Sequence, residues 1–519
     1  MRPELSHLEQ RGDEAPSASE GLPDLVRRLA RQRPDAQAVT GPTPLTYSTV
    51  MDMADAVAAR LLEAGVAPGD VVGVCSSRSH QVPSLVLGIM RSRAVYLPLD
   101  PLYPDALLAV MARAADVRAV IVDQDAAGRV PPGHRCLSAV ELLSPLSGCL
   151  PLAPIDPCSG AYGMFTSGST GDPKGVLLGH GGLADYAGAL PRRVGLGAGD
   201  RCLGVAPLGF SSAMRQLLVP LAVGATVVVP TDGQVRTPWE FADLVHEELV
   251  SHLDVTPSFW RALLDALPED DARRMLAGVR RVLFASEPLD GHLAHHTRRL
   301  APHVRLWNMY GCTETTGIVT AYEVTGSEPE DAAVPIGTAL DHVTVSLAPA
   351  FSDTEHPEGQ IVVTGRAVAL GRLGSGAGSG LGAAVRRLET GDHAEQSTAG
   401  LVWRGRADRM VKVRGMRVAA ESVEQQLIAH DHVQRAAVVA ASDRGLVCTV
   451  EPAHGPSGPD PRQVIAWLRN RVPAHMVPAE ITVTTHWPLL PNGKTDHQQL
   501  AGRYFEDNHA GGEADADHR

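Results

Sequence analysis

The amino-acid sequence predicts an α/β fold: a large N-terminal domain of several subdomains with mostly parallel sheets, then a small α+β C-terminal domain. Three observations carry that reading. As far as about residue 405, short β-branched runs alternate with helical stretches, the pattern that builds parallel sheets flanked by helices. Beyond that point the order becomes helix, strand, strand, helix, strand, a compact unit of ordinary domain size. A length of 519 residues also exceeds what one ordinary core organises. The expected domains are residues 1–405 and 406–519.

The opening "MRPELSHLEQRGDEAPSASEG" is polar, is expected to fray, and lacks the apolar centre of a secretory signal. "VMDMADAVAARLLEAG" places Ala54, Val57, Ala58, Leu61 and Leu62 on one helical face and stops at Gly65. "DVVGV", "VRAVIVD", "GATVVVP" and "VRRVLFAS" read as buried strands, being short, β-branched and almost continuously apolar. "GRLGSGAGSGLGAA" reads as a flexible connector; its glycines at 374, 376, 378, 380 and 382 fall at even spacings, so a dinucleotide G-x-G-x-x-G fingerprint is not satisfied. "ESVEQQLIAH", "VQRAAVVAA", "GLVCTVEP", "PRQVIAWLRN" and "EITVTT" then supply the small domain, and the tail "EDNHAGGEADADHR" is again polar.

Composition removes several function classes. A net charge of −13 argues against a nucleic-acid surface, which needs a basic stripe. No apolar run is long enough to cross a membrane. The seven cysteines are scattered and form no C-x-x-C pair, which fits neither a zinc site nor a secreted disulfide framework and points to a reducing cytoplasm.

"MFTSGSTGDPKGV" (164–176) is too rich in Gly and Pro for regular structure and reads as a loop. Its hydroxyls, flexible amides and lysine suit phosphate. A Walker A loop needs glycine directly before the lysine, and Pro173 stands there instead. Taken alone, a Gly/Ser surface turn explains it equally well.

Three further stretches decide between those readings: "NMYGCTETTG" (308–317), "ETGDHAEQSTAGLVWRGRADRMVKVRGMRV" (389–418) and "LPNGKTDHQQL" (490–500). With "LTYSTV" (45–50) and "AVYLPLDPLYP" (94–104) they stand in the order found in one superfamily. The chain resembles the adenylate-forming enzymes, which include acyl-CoA synthetases, adenylation domains of nonribosomal peptide synthetases, and luciferases. "VPAHMVPAEI" and "PNGKTD" are more similar to the peptide-synthetase adenylation domains. Because the chain ends soon after them, a stand-alone adenylation enzyme serving a carrier protein in trans is expected.

The resemblance implies that a substrate carboxylate attacks the α-phosphate of ATP, pyrophosphate leaves, and the acyl-adenylate is passed to a phosphopantetheine thiol. Such chemistry is mainly positioning and electrostatic stabilisation. It implies that Thr166, Ser167, Gly168, Ser169, Thr170, Gly171 and Lys174 hold the terminal phosphates, and that Thr313 and Glu314 contact phosphate and Mg²⁺. Asn308 and Tyr310 then face adenine, Asp392 takes the ribose hydroxyls with Arg406 assisting, and Lys494 is the catalytic lysine. Asp408 matches the hinge between the domains, and Gly415 the approach of the thiol.

By position, the substrate pocket is Phe210, Ser211, Ser212, Arg215, Val255, Leu283, Ala285, Met309, Gly317 and Ile318. Three departures stand out. Ser211 replaces the aspartate that pairs with an α-ammonium, so an ordinary α-amino acid is not the expected substrate. Cys312 replaces a proline, and "FASEPL" (284–289) replaces a Gly-Gly-Glu near adenine. Arg215 reads either as a pocket guanidinium wanting a carboxylate or as a surface residue at a helix start. Two other functions remain open: a ligase using free CoA, separable by trapping the product, and a non-catalytic nucleotide-binding scaffold, disfavoured because Lys494, Asp392, Glu314 and the loop are all present.

Overall fold

The computed structural model describes the chain outside residues 1–8, 12–19, 131–132, 147–151, 167–172, 331, 350–356, 375–385, 407–409, 414–415, 442–444, 454–457, 489–494, 498 and 503–519. The chain divides into two compact units, and residues 408–519 fall in the smaller one.

In the large unit the β-branched runs form two mixed sheets with parallel centres. One places Gly160–Thr166, Val95–Pro98, Val71–Cys75, Val117–Val122 and Cys136–Ser138 side by side in parallel, with Lys174–Gly179 and Gly371–Arg372 antiparallel at one edge. The other runs parallel from Arg305–Cys312 through Arg281–Phe284, His252–Val255, Arg201–Leu203 and Thr226–Val228 to Gln37–Val39. Gly317–Glu323 and Thr338–Ala339 extend it antiparallel beside Arg305–Cys312, and Leu45–Thr46 does so at the far edge.

The helix Tyr47–Glu63 is held at its start by Thr46, whose Oγ1 accepts the Thr49 amide at 3.2 Å. It buries Ala54, Val57, Ala58 and Leu61, but Leu62 is 40% exposed, contrary to the sequence expectation. Leu62 lies at the margin of the apolar stripe, where helical periodicity cannot say which side wins. The neighbouring helix Val82–Arg91 comes so close that a Cβ on Gly88 would lie 2.5 Å from Val57 Cβ, so only glycine fits there.

A third sheet is wholly antiparallel, in the order Glu9–Arg11, Thr344–Pro349, Glu358–Gly365, Arg386–Ser397 and Gly400–Arg406. It departs from the expectation of parallel sheets in this region. Residues 9–11, expected to fray, pair with Thr344–Ser346. Two residues of the supposed connector, Gly371–Arg372, pair with Val176 and Leu177.

In the smaller unit, Val433–Ala441, Gly445–Pro452 and Glu480–Val483 form one sheet with the helices Ala420–Ile428 and Pro461–Arg469, the expected order. Val423, Leu427, Val438, Cys448, Val450, Val464 and Leu468 make its core.

Candidate active site

Three adjacent parallel strands of the larger mixed sheet share a register in which Val255 lies beside Phe284, and Phe284 beside Asn308. The first two end at this level and Arg305–Cys312 runs on to Cys312, all at the carboxyl edge, where open α/β sheets bind ligands. Most of the expected pocket collects there. Val255 ends one strand, Leu283 and Ala285 flank the end of the next, Met309 follows Asn308, and Gly317 and Ile318 open the return strand. Leu283, Ala285, Met309 and Ile318 are each no more than 3% exposed and pack in one core, so these walls are apolar and tight. Val255 departs from the expected pocket: in register with Phe284, it points to the other face of the sheet and packs in a separate core. Gly317 has φ +143°, and a Cβ on it would lie 2.9 Å from the Tyr186 ring, so glycine alone lets that tyrosine reach the wall.

Phe210, in extended conformation, precedes the helix Ser211–Leu218, whose first two residues are Ser211 and Ser212. Ser211 Oγ lies 3.3 Å from Thr313 Oγ1, so the pocket and the Thr-Glu motif meet at this pair of hydroxyls. Arg215, one helical turn on, is not a surface residue, and the carboxylate it wants is supplied by the protein itself. It is 8% exposed, and its Nε and Nη2 donate to Asp254 Oδ2 and Oδ1 at 2.5 and 2.9 Å. Burial works against the guanidinium charge, but the Asp254 carboxylate outweighs it and holds the Arg215 pKa above its ordinary value.

Thr313–Thr315 form a single tight turn pinned by Thr315. Its hydroxyl accepts the Cys312 amide at 3.1 Å and lies 2.9 Å from the carbonyls of both Cys312 and Gly317, between which its single proton is shared. A proline at 312 would have no amide to give, so this departure adds a bond to the turn. Glu314 and Thr313 are half-buried on it, and an oxygen donor so placed suits Mg²⁺. In the "FASEPL" stretch, Ser286 sits at φ +72°, a region glycine favours.

The residues expected to hold adenine and ribose lie where two sheets meet. Tyr310 Oη donates to Asp392 Oδ2 at 2.8 Å, and Trp403 Nε1 donates to Asp392 Oδ1 at 3.0 Å. Asp392 is fully buried. Asn308 gives its amide to the carbonyls of Val334 and Pro335, both at 3.0 Å, while its buried Oδ1 has no partner among the described residues. A buried acceptor of this kind fits an exocyclic amino group such as that of adenine.

The phosphate motif is shorter as a loop than the sequence suggested. Met164–Thr166 and Lys174–Val176 belong to two antiparallel strands, with Thr166 paired to Lys174. Ser167, Gly168, Ser169, Thr170 and Gly171 lie outside the described residues, as do Asp408, Gly415, Lys494 and the side chain of Arg406. The backbone of Arg406 pairs with Asp392.

Trp403 and Asp254 were not singled out from the sequence. Trp403 stood inside a quoted motif, and an indole beside "TGD" was a usable signal. Asp254 had none, because an acid inside a buried strand is informative only once its partner is known.

The model of the AMP-binding enzyme family matches residues 26–372. The chain belongs to that family. The family's C-terminal domain matches residues 422–494. This AMP-binding enzyme is 32% identical over 93% of its length to CymA of Salinispora arenicola, a probable nonribosomal peptide synthetase. It is 31% identical over 94% of its length to the phenyloxazoline synthase MbtB of Mycobacterium tuberculosis. It spans only 6% and 35% of those two proteins. Among solved structures it is similar to holo-PA1221, a peptide-synthetase protein with adenylation and PCP domains, at 25% identity and a TM-score of 0.80 over 94% of this chain and 85% of that one. The fold is also that of an artificially fused NpsA–ThdA adenylation–PCP di-domain from Klebsiella oxytoca, at 22% identity and a TM-score of 0.77, covering 89% and 93% of the two chains. The chain is an AMP-forming ligase of a family that uses ATP. Among the described residues, no helix is long and apolar enough to cross a membrane.

Proposed function

We propose that this chain adenylates a small carboxylic acid that is not a standard α-amino acid and passes the acyl group to a carrier-protein thiol supplied in trans. The carrying observation is Ser211. It stands where amino-acid-activating members hold a carboxylate, and its hydroxyl lies 3.3 Å from Thr313 rather than offering a charge to an α-ammonium. The preferred acid therefore has its amine absent, displaced from the α-carbon, or masked. The apolar walls formed by Leu283, Ala285, Met309 and Ile318 keep it small.

In the first step a carboxylate oxygen bonds to the α-phosphorus as the bond to the bridging oxygen breaks and pyrophosphate departs. Asn308 and Tyr310 orient adenine, and Asp392 accepts from the ribose hydroxyls with Arg406 beside it. Residues 166–171 and Lys174 hold the leaving phosphates. Mg²⁺, held by Glu314, would offset phosphate charge. Lys494 donates to the carboxylate that attacks. In the second step the thiol sulfur bonds to the acyl carbon, the thiol proton leaves, and AMP departs with its electron pair. Asp408 serves as the hinge between the two steps and Gly415 lines the thiol's path. The reaction belongs in the cytoplasm, where ATP is made available and the scattered cysteines stay reduced.

Similarity at 32% identity to a probable nonribosomal peptide synthetase, and to holo-PA1221 with its PCP domain, supports a carrier acceptor over free CoA. Pyrophosphate exchange against a panel of acids tests the reading, followed by trapping of the product on holo-carrier or CoA. A standard α-amino acid as the best substrate, or transfer to CoA alone, would refute the corresponding half.

A further inference from the structure

The buried guanidinium at the pocket is already answered by the protein itself. Arg215 follows Ser211 by four residues on one helix, so the two share a face. Its partner Asp254 stands in register with pocket residue Leu283, so the two share one face of the sheet, while Val255 points with Phe284 to the other face. Asp254 thus engages Arg215 on the side of the sheet that Leu283 lines. The geometry is two-pronged, and the partners are 8% and 5% exposed.

The surroundings hold the pair in place. Gln216 donates to the Asp254 carbonyl at 2.9 Å and accepts the Ala206 amide at 2.8 Å, tying helix, strand and loop together. Pocket residue Leu283 lines, with Arg215, Asp254 and His252, a small internal cavity. Tyr186, whose ring rests on Gly317, lies close enough to feel both charges. The pair brings one positive and one negative charge and leaves the site neutral. A substrate carrying a second carboxylate would be stripped of water there without gaining a counter-charge.

Resting on the reading that these residues form the acid-binding pocket, we infer that Asp254 determines specificity: by occupying Arg215 it restricts the enzyme to acids whose far end is uncharged. Removing the Asp254 charge frees Arg215 to receive a second carboxylate.

The test uses the full chain and matched acids of several lengths, each a dicarboxylate and its mono-amide, such as glutarate and glutaramate. In pyrophosphate exchange, the wild type should favour the mono-amide by at least about tenfold in kcat/KM. Asp254→Asn should move that ratio toward the dicarboxylate by at least about tenfold, and Asp254→Glu should restore it. A folded Asp254→Asn variant whose ratio stays within about twofold of the wild type would overturn the inference. If that variant does not fold, calorimetry on the wild type with the two acyl-sulfamoyl-adenosines decides. Tighter binding of the neutral analogue supports the inference, and equal or tighter binding of the charged one overturns it. Absence of exchange with every acid would instead refute the activation reading, and calorimetry would still decide the role of Asp254.

Discussion

Tyr310 and Asp392 hydrogen-bond across two different sheets, hydroxyl to carboxylate at 2.8 Å. Trp403 holds the other carboxylate oxygen at 3.0 Å, so the acid is oriented from both sides before any ribose arrives. A phenol expected to face adenine thus also fixes the group expected to bind the sugar. Tyr310→Phe keeps the ring and deletes the bond. Hydrogen bonds to charged groups contribute roughly 1.5–3 kcal/mol, so the KM for ATP should rise at least about tenfold with a smaller change in kcat. Trp403→Phe should act in the same direction. A rise below about twofold in both variants would show that the bonds do not serve nucleotide binding.

Ser211→Asp should restore a counter-charge for an α-ammonium. Exchange with standard α-amino acids should rise about ten- to hundredfold relative to the wild type's preferred acid. A substrate profile left unmoved would place position 211 outside the region that senses the amine.

Lys494→Ala should slow adenylate formation by about two to three orders of magnitude, the effect of removing a cation from a site of developing charge. Transfer from supplied acyl-adenylate should survive. Gly415→Leu should do the reverse, preserving adenylate formation and blocking transfer. Equal losses in both half-reactions would contradict the division of labour.

Cys312→Pro, which installs the residue usual at this position, should destabilise this chain. Cys312 has φ −137°, far from the proline value near −65°, and its amide bonds Thr315. The lost bond and the conformational misfit together should cost about 2 kcal/mol, read as a lowered denaturation midpoint at unchanged slope. An unchanged midpoint would show that the turn does not depend on that amide.

Acid should unfold the protein through its buried histidines. Burial lowers the pKa of His180 and His252 to about 4 and of His342 to about 3. All three stay neutral in the folded state while the unfolded chain takes up protons near pH 6.5, so stability is complete above that value and falls as the pH drops toward 4. Each contributes up to roughly 3 kcal/mol of loss by pH 4. Both ring nitrogens of His180 lack partners among the described residues, so His180→Leu should flatten the acid limb of a melting profile without a large loss at neutral pH. An unaltered acid limb would assign the sensitivity elsewhere.

Much of the fold was legible because its signal is local. The run Val71–Cys75 is β-branched and buried throughout, and Val117–Val122 and Arg281–Phe284 are largely apolar and mostly buried. The order helix, strand, strand, helix, strand reappears in the smaller unit after the paired strands Met410–Val413 and Met416–Ala419. The antiparallel sheet was not legible. Its strand Arg386–Ser397 is mostly polar and charged, with Leu388 and Ala394 its apolar side chains, and residues 9–11 find their partners beyond residue 340. Nothing near Glu9 in the chain indicates Thr344–Ser346.

At the site, the sequence by itself determined the chemical inventory: a Thr-Glu turn, an aspartate after Thr390-Gly391, a lysine near the C-terminus, and Ser211 where a carboxylate was expected. Motif order carries that information because spacing along the chain encodes it. Only the tertiary structure decided which charges answer which. Arg215 and Asp254 are 39 residues apart, Tyr310 and Asp392 are 82 apart, and each pair meets through strand register and helix packing rather than local pattern. A buried charge takes its meaning from its partner, and partners are chosen by the folded core, where leaving either group unpaired would be costly.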